Sequence, residues 1–109
     1  MFMRLLQMRV NPDKIVEFEK VYEHTIIPTL QHSPGCAYAG LIQSLEDKND
    51  AISITLWSHQ DKALAYERSG KYAQLVDLSR PFFTDSSDWR VQLSVDLRPE
   101  FWPAATDRR

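Results

Sequence analysis

The chain has 109 residues, with 13 Lys and Arg against 15 Asp and Glu, a formal net charge of -2 and 43% hydrophobic residues. This composition is typical of one soluble globular domain that is long enough to bury a core without a metal or a disulfide. The balanced charge, without a basic run, excludes a nucleic-acid surface built on clustered Lys and Arg. Arg4, Gln7 and Arg9 interrupt the apolar N-terminus, and no later apolar run reaches membrane-spanning length, so we predict a cytoplasmic protein without a membrane partner.

The first third of the chain predicts a strand followed by a helix. Residues 2–10 are apolar with regular polar interruptions, which favours a strand. The Asn-Pro-Asp sequence at 11–13 is typical of a helix start. One apolar stripe at helical spacing follows, formed by Ile15, Phe18, Tyr22, Ile26 and Leu30. We expect Pro28 to kink this helix and Ser-Pro-Gly at 33–35 to end it.

The middle of the chain predicts a β-hairpin. Residues 37–46 and 51–58 have strand character, and the polar segment 47–50 is a turn. In the second strand, alternation places three apolar residues on one face and two small polar residues with a tryptophan on the other. These sets are Ile52, Ile54 and Leu56, and Ser53, Thr55 and Trp57.

Two short helices and a last strand follow the hairpin. Ser58 and Asp61 have the spacing of a capping box for a helix over residues 63–69, and Gly70 is suited to end it. A second helix is predicted from Lys71 to about residue 80, with one face formed by Tyr72, Leu75, Val76 and Ser79. Residues 89–97 alternate apolar and polar side chains and predict a strand.

The order β-α-β-β-α-α-β predicts an α+β, ferredoxin-like fold with a four-stranded antiparallel sheet and helices on one side. Several strands carry apolar residues on both faces, so the face without helices is expected to pack against a second copy of the chain. Two such sheets would close a dimeric α+β barrel. We assign residues 1–97 to this domain and residues 98–109 to a C-terminal tail whose Phe101-Trp102 pair is placed to dock on the partner subunit.

Three segments together resemble the antibiotic biosynthesis monooxygenase (ABM) domain family of the dimeric α+β barrel superfamily. They are Pro34-Gly35 before the second strand, residues 54–57 (Ile-Thr-Leu-Trp), and residues 65–72 (Ala-Tyr-Glu-Arg-Ser-Gly-Lys-Tyr). The resemblance covers roughly residues 3–95. It implies a homodimer with one pocket per subunit between sheet and helices, used in some members to oxygenate quinols or anthrones without metal or flavin.

The resemblance also marks two departures from the family pattern. Many members carry a His nine residues after the Trp, where this chain has Tyr66. A phenol with a pKa near ~10 is a poor base at neutral pH, although it can still hydrogen-bond a substrate oxygen. Haem-degrading members of the superfamily place a haem-ligating His on the second of the paired helices, where this chain has Val76.

Several side chains are candidates for the pocket. Trp57 either walls it or belongs to the core, and Tyr66, Tyr72 and Tyr38 are each either pocket residues or half-buried structural tyrosines. His59 is a candidate general base or a solvated residue at a helix start. We therefore predict Trp57, Tyr66 and His59 as catalytic.

Substrate-binding residues are predicted at Tyr72, Tyr38, Gln7 and Arg90; the last two either line a cavity or face solvent. No metal site is predicted, because His24 and His32 lack a ligand spacing and the single Cys36 supplies no zinc set. No Gly-x-Ser-x-Gly elbow or glycine-rich phosphate loop occurs.

Two functions from different classes follow. The first is a cofactor-independent monooxygenase that acts on a quinol-like or anthrone-like aromatic, with molecular oxygen as co-substrate and no cofactor. The alternative is a non-catalytic dimer of the same fold that binds a small ligand, haem included through His59 or Tyr66, because fold does not fix function.

Overall fold

The computed structural model describes residues 1–84 and, as backbone, the strand at residues 91–96. The elements in chain order are β1 (Phe2–Arg9), a 3-10 turn (Pro12–Lys14), α1 (Ile15–Val21), a π-helical turn (Tyr22–Ile26), α2 (Ile27–Gln31), β2 (Cys36–Gln43), β3 (Asp50–Trp57), α3 (Gln60–Arg68), α4 (Lys71–Ser79), a 3-10 turn (Arg80–Phe82) and β4 (Val91–Asp96). The C-terminal tail at 98–109, including Phe101-Trp102, lies outside the described residues.

All strand pairs are antiparallel, in the order β2-β3-β1-β4. The first strand is central, and the hairpin partners β2 and β3 lie together on one side of it. Because consecutive strands connected by helices are not neighbours here, the topology is that of a ferredoxin-like fold. The prediction of an α+β, ferredoxin-like fold is confirmed, as is the antiparallel hairpin.

The two faces of the sheet carry different sets of side chains. The helix-covered face of β1 consists of Phe2, Arg4, Leu6 and Met8, all buried. Their partners on β3 are small: Ala51, Ser53 and Thr55, followed by Trp57 at the strand end. The larger aliphatic residues of β3 (Ile52, Ile54 and Leu56) lie on the other face, which we call the open face.

The open face is apolar without a covering layer among the described residues. Leu5 pairs with Ile54 across β1 and β3, and the next positions on this face include Met3 and Leu56. On β2, Ile42 and Tyr38 lie on the same face and are 51% and 52% exposed. The sheet therefore has one face in the core and one apolar face left partly accessible.

The first helical segment starts as predicted and continues differently. The Asn11 side chain accepts a hydrogen bond from the Asp13 amide at 3.0 Å, and Pro12 follows at the first helical position. The expected irregularity at Pro28 takes the form of a π-helical turn directly before it, in which the Ile27 N–H bonds to the Tyr22 carbonyl. Pro28 then occupies the first turn of α2, where its missing N–H costs little.

The paired helices show one correction and one confirmation. The Ser58–Asp61 capping box is wrong: α3 begins after His59 in extended conformation without a side-chain cap, and the Ser58 amide instead bonds to Gly35 O at 2.8 Å. Gly70 has φ +88°, so the left-handed conformation predicted for the end of α3 is present. Within residues 1–84 and 91–96, no helix has both the length and the apolar character needed to cross a membrane.

Candidate functional site

A small cavity of about 50 Å³ lies between the helix-covered face of the sheet and the helices. Its apolar lining is Leu6, Met8, Phe18, Ile26, Leu30, Leu75 and Val76, and its polar lining is Arg4, Tyr22, Ser53, Thr55, Tyr66, Tyr72 and Ser79. The cavity follows from the alternation of β3, because Ser53 and Thr55 are too short to fill the space that Ile or Leu would occupy there. All four residues of the predicted face of α4 are in its lining: Tyr72, Leu75, Val76 and Ser79.

An aromatic cluster borders one side of this cavity. The rings of Trp57 and Tyr66 have centroids 5.1 Å apart, and the rings of Tyr66 and Tyr72 are 6.0 Å apart in an edge-to-face arrangement. The break at Gly70 lets α3 and α4 bring both tyrosines to one place, as the sequence predicted. Tyr66 and Tyr72 line the cavity, whereas Trp57 is fully buried behind them and holds Tyr66 in place.

Two hydrogen bonds fix the short polar side chains of β3. Trp57 Nε1–H donates to Thr55 Oγ1 at 2.9 Å. The Tyr22 hydroxyl donates to Gly40 O at 3.0 Å and lies 2.6 Å from Ser53 Oγ. The strand therefore presents oriented hydroxyl groups to the cavity, because each is tied to an aromatic side chain.

Burial keeps the cavity tyrosines protonated. It raises the pKa of Tyr22 to about 12. Burial is also the largest cause of the raised pKa values of Tyr66 and Tyr72; the nearby Arg4 guanidinium opposes both shifts. At neutral pH these phenols are hydrogen-bond donors and not bases, so Tyr66 is unsuited to abstract a proton.

Arg4 is the functional candidate that the sequence analysis missed. Its side chain is only 7% exposed, on the cavity side of β1, and its guanidinium carbon lies 5.9 Å from the centre of the Tyr72 ring. Arg4 Nη1 is 2.8 Å from Glu67 Oε1. The sequence does show that Arg4 shares a face of β1 with Phe2, Leu6 and Met8, but it does not show that this face is the buried one.

The other predicted residues lie elsewhere. Gln7 is exposed on the open face, opposite Ile52, and Tyr38 is on the same face. His59 is exposed before α3 and does not line the cavity. Arg90 lies outside the described residues. The structure thus brings together Tyr66 and Tyr72 from the predicted set, with Trp57 directly behind them.

A second, larger cavity of about 340 Å³ also has Tyr66 in its lining. It is lined by Ser33, Pro34, Lys62, Ala65, Tyr66, Ser69 and Lys71. We call it the outer cavity and the first one the inner cavity. Tyr66 is the residue that lines both cavities.

The sequence comparison decides the family. The family model for antibiotic biosynthesis monooxygenases matches residues 1–78. The chain belongs to the ABM family. No curated protein matches it.

Several solved structures share this fold. SnoaB from Streptomyces nogalater, described as a cofactor-independent oxygenase, is 18% identical with a TM-score of 0.73, over 89% of this chain and 92% of that one. A protein from Nitrosomonas europaea assigned to the antibiotic biosynthesis monooxygenases is 14% identical, with a TM-score of 0.73 over 89% and 98% of the two chains. A conserved protein from Methanosarcina mazei is 18% identical, with a TM-score of 0.73 over 89% and 92%. At these identities the likeness shows the fold alone.

The groups on the inner cavity limit what it can do chemically. It holds tyrosine hydroxyls, a guanidinium and short aliphatic hydroxyls, and none of its lining side chains is an imidazole or a carboxylate. Across residues 1–84 and 91–96, no cluster of His, Cys, Asp and Glu has the arrangement of a metal site. The groups present are suited to donate hydrogen bonds to a ligand oxygen.

Proposed function

We propose that this ABM chain is a cofactor-independent monooxygenase whose substrate is an electron-rich aromatic of the quinol or anthrone class. The observation that carries the proposal is the pair of protonated phenols, Tyr66 and Tyr72, on a cavity of otherwise mostly apolar lining. Donors held in a site of low polarity stabilise a substrate oxyanion, and a phenolate-type anion is the form that transfers an electron to oxygen.

The chemistry needs no external reductant. When a ring CH2 of an anthrone becomes a carbonyl, the substrate gives up four electrons. Oxygen accepts all four: one of its atoms enters the product and the other leaves as water with the two protons. The chain has to bind the substrate, favour its anion and exclude water. Those tasks fit hydrogen-bond donors and an apolar wall, without a base of suitable pKa.

The sizes of the cavities set how a substrate would bind. A cavity of about 150 Å³ holds benzene, so the inner cavity of about 50 Å³ is too small for one ring. Displacement of Tyr66 would join it to the outer cavity of about 340 Å³. In this proposal a polycyclic substrate occupies both cavities, with its reacting oxygen at the inner end.

The test is oxygen uptake by chelator-treated protein with reduced naphthoquinols and anthrones. Uptake above the buffer rate that falls at least tenfold in Tyr66→Phe and Trp57→Phe would support the proposal. Tyr38→Phe is the matched control, because that phenol lies on the open face. Binding without uptake for the whole panel would favour the alternative, a non-catalytic small-ligand protein, which the lack of an imidazole in the inner cavity also favours.

We further propose a homodimer formed through the open face. The apolar set on β3 (Ile52, Ile54 and Leu56) supports it, as does the family resemblance. Light scattering at micromolar concentration should give twice 12.7 kDa, and Ile54→Lys, at the middle of the face, should give the monomer. Val16→Lys on α1, where the side chain is 60% exposed, is the control. A wild-type monomer would refute the dimer.

A further inference from the structure

The lining of the inner cavity includes a buried charge, Arg4, whose hydrogen-bonding capacity is only partly used. Arg4 Nε and Nη1 are both inaccessible to solvent and have no hydrogen-bond acceptor among the residues that the structure describes. Nη1 is 2.8 Å from Glu67 Oε1, in an ion pair without hydrogen-bond geometry. The ion pair compensates the charge of Arg4 only in part, because the Glu67 side chain is 30% exposed and water screens its charge.

An unsatisfied buried guanidinium is unfavourable in a structure made only of protein groups. Buried polar groups are almost always paired, and those that are not require an explanation such as a missing ligand. An apolar side chain would suit the position of Arg4, because the other residues on this face of β1 are the buried Phe2, Leu6 and Met8. An arginine at this position, beside a cavity, indicates a role that an apolar side chain would not perform.

The remaining polar groups of the cavity leave donors in excess. Thr55 Oγ1 already accepts from Trp57 Nε1, and Ser53 Oγ is paired with Tyr22. Ser79 Oγ donates to Leu75 O at 2.8 Å within α4. The Arg4 N–H groups and the protonated hydroxyls of Tyr66 and Tyr72 remain to bind a ligand. A set of donors around a positive charge selects an acceptor that carries negative charge.

We propose that the inner cavity binds the anionic oxygen of an aromatic ligand, a phenolate or a carboxylate carried on the ring, at the Arg4 guanidinium. The ring itself lies beside Tyr72, in the space that displacement of Tyr66 opens towards the outer cavity. The proposal rests on the inner cavity being the ligand site of the proposed function, but not on any reaction with oxygen. It assigns Arg4 as the residue that selects the charged form of the ligand.

The first experiment uses the wild-type chain with small single-ring probes. Benzoate and its uncharged isostere benzamide are compared by calorimetry, and benzoate should bind at least tenfold more tightly. Bound 4-nitrophenol is followed by the absorbance of its anion, and its titration midpoint should fall by about one pH unit or more, which is a tenfold preference for the phenolate. The two arms distinguish a carboxylate site from a phenolate site.

The second experiment places the preference on Arg4. Arg4→Met should abolish the benzoate-to-benzamide ratio and the shift of 4-nitrophenol, and Arg4→Lys should keep part of both. Arg9→Met is the matched control, because Arg9 lies on the same strand and pairs with Asp47 and Asp50 outside the cavity. If Arg4→Met does not unfold cooperatively, it is not folded, and the assignment is then tested by Arg4→Lys and by the comparison of the probes on the wild-type chain.

Three results would each overturn the assignment. The first is that neither anion binds. The second is that benzamide binds as tightly as benzoate while 4-nitrophenol titrates as it does in buffer, and the third is that Arg4→Met retains both preferences. Its failure is distinguishable from that of the proposed function. Anion binding that depends on Arg4, without oxygen uptake from any substrate, would refute the oxygenase only. Uptake that Arg4→Met leaves intact would refute the role of Arg4 only.

Discussion

Substitution of Thr55 by Val tests whether the Trp57–Thr55 hydrogen bond holds the aromatic wall. Val has nearly the same shape, so the main change is that the buried Trp57 N–H loses its acceptor at 2.9 Å. Leaving such a donor unsatisfied costs about 1–3 kcal/mol. For 109 residues, 1 kcal/mol lowers the melting temperature by roughly 4 °C. We therefore expect Thr55→Val to lower it by about 4–12 °C.

A double-mutant cycle separates this bond from general damage to the core. Trp57→Phe removes the donor and part of a fully buried ring, which costs about 2–3 kcal/mol. In the Trp57→Phe background, Thr55→Val leaves no donor without an acceptor. It should therefore cost about 1 kcal/mol or more less than it costs in the wild-type chain. Urea unfolding at one fixed protein concentration measures all four variants, because dimer stability depends on concentration. Thr25→Val, on the exposed side of the π-helical turn, is the control and should change stability by less than about 0.5 kcal/mol. An equal cost of Thr55→Val in both backgrounds would refute the reasoning.

Three further predictions concern titration and backbone. Tyr22, Tyr66 and Tyr72 have raised pKa values in the folded chain. The contribution of these three tyrosines to folding stability is therefore full below the unfolded tyrosine pKa of about 10 and is lost as pH rises through the folded-state values. Tyrosinate absorbance should rise at higher pH in the folded chain than in urea, and superimposable curves would contradict this. The Asn49 amide and, after it, the Arg9 guanidinium lower the pKa of the Asp47 carboxyl. Asp47→Asn should thus remove a contribution to stability that is present above pH ~4 and lost in acid. The urea unfolding midpoint of this variant should therefore fall less steeply with decreasing pH than that of the wild-type chain. Gly70→Ala, at φ +88° with open space around it, should cost about 1–2 kcal/mol. Gly35→Ala should cost more, because its Cβ would overlap the Lys62 side chain; equal urea midpoints for the two would argue against a steric difference.

Local patterns were enough to predict the elements and one wall of the cavity. The helical spacing of Tyr72, Leu75, Val76 and Ser79 predicted a face of α4 that the structure places on the inner cavity. The left-handed Gly70 and the Asn11 cap were likewise predictable, because each depends on residues next to it in sequence.

The interior of the site depended on a choice that the sequence leaves open. Both faces of β1 are largely apolar, so alternation cannot tell which face the helices cover, and it favoured Gln7 over Arg4 as a cavity residue. The same ambiguity concealed that the smaller side chains of β3 face inward and leave the cavity. His59 was attractive because it is near Trp57 in sequence, but its side chain is exposed at the start of α3.

The π-helical turn at Tyr22–Ile26 is a place where the fold can tolerate the loss of one residue. A π turn contains one residue more than an α turn, so losing a single residue there would restore regular α-helix and leave the helical phase on both sides unchanged. Loss of a residue from α1 would instead rotate everything before it by about 100° and move Phe18 or its neighbours out of the core. Relatives of this chain that are one residue shorter in their first helical segment should therefore carry the gap at this turn and keep the same buried stripe.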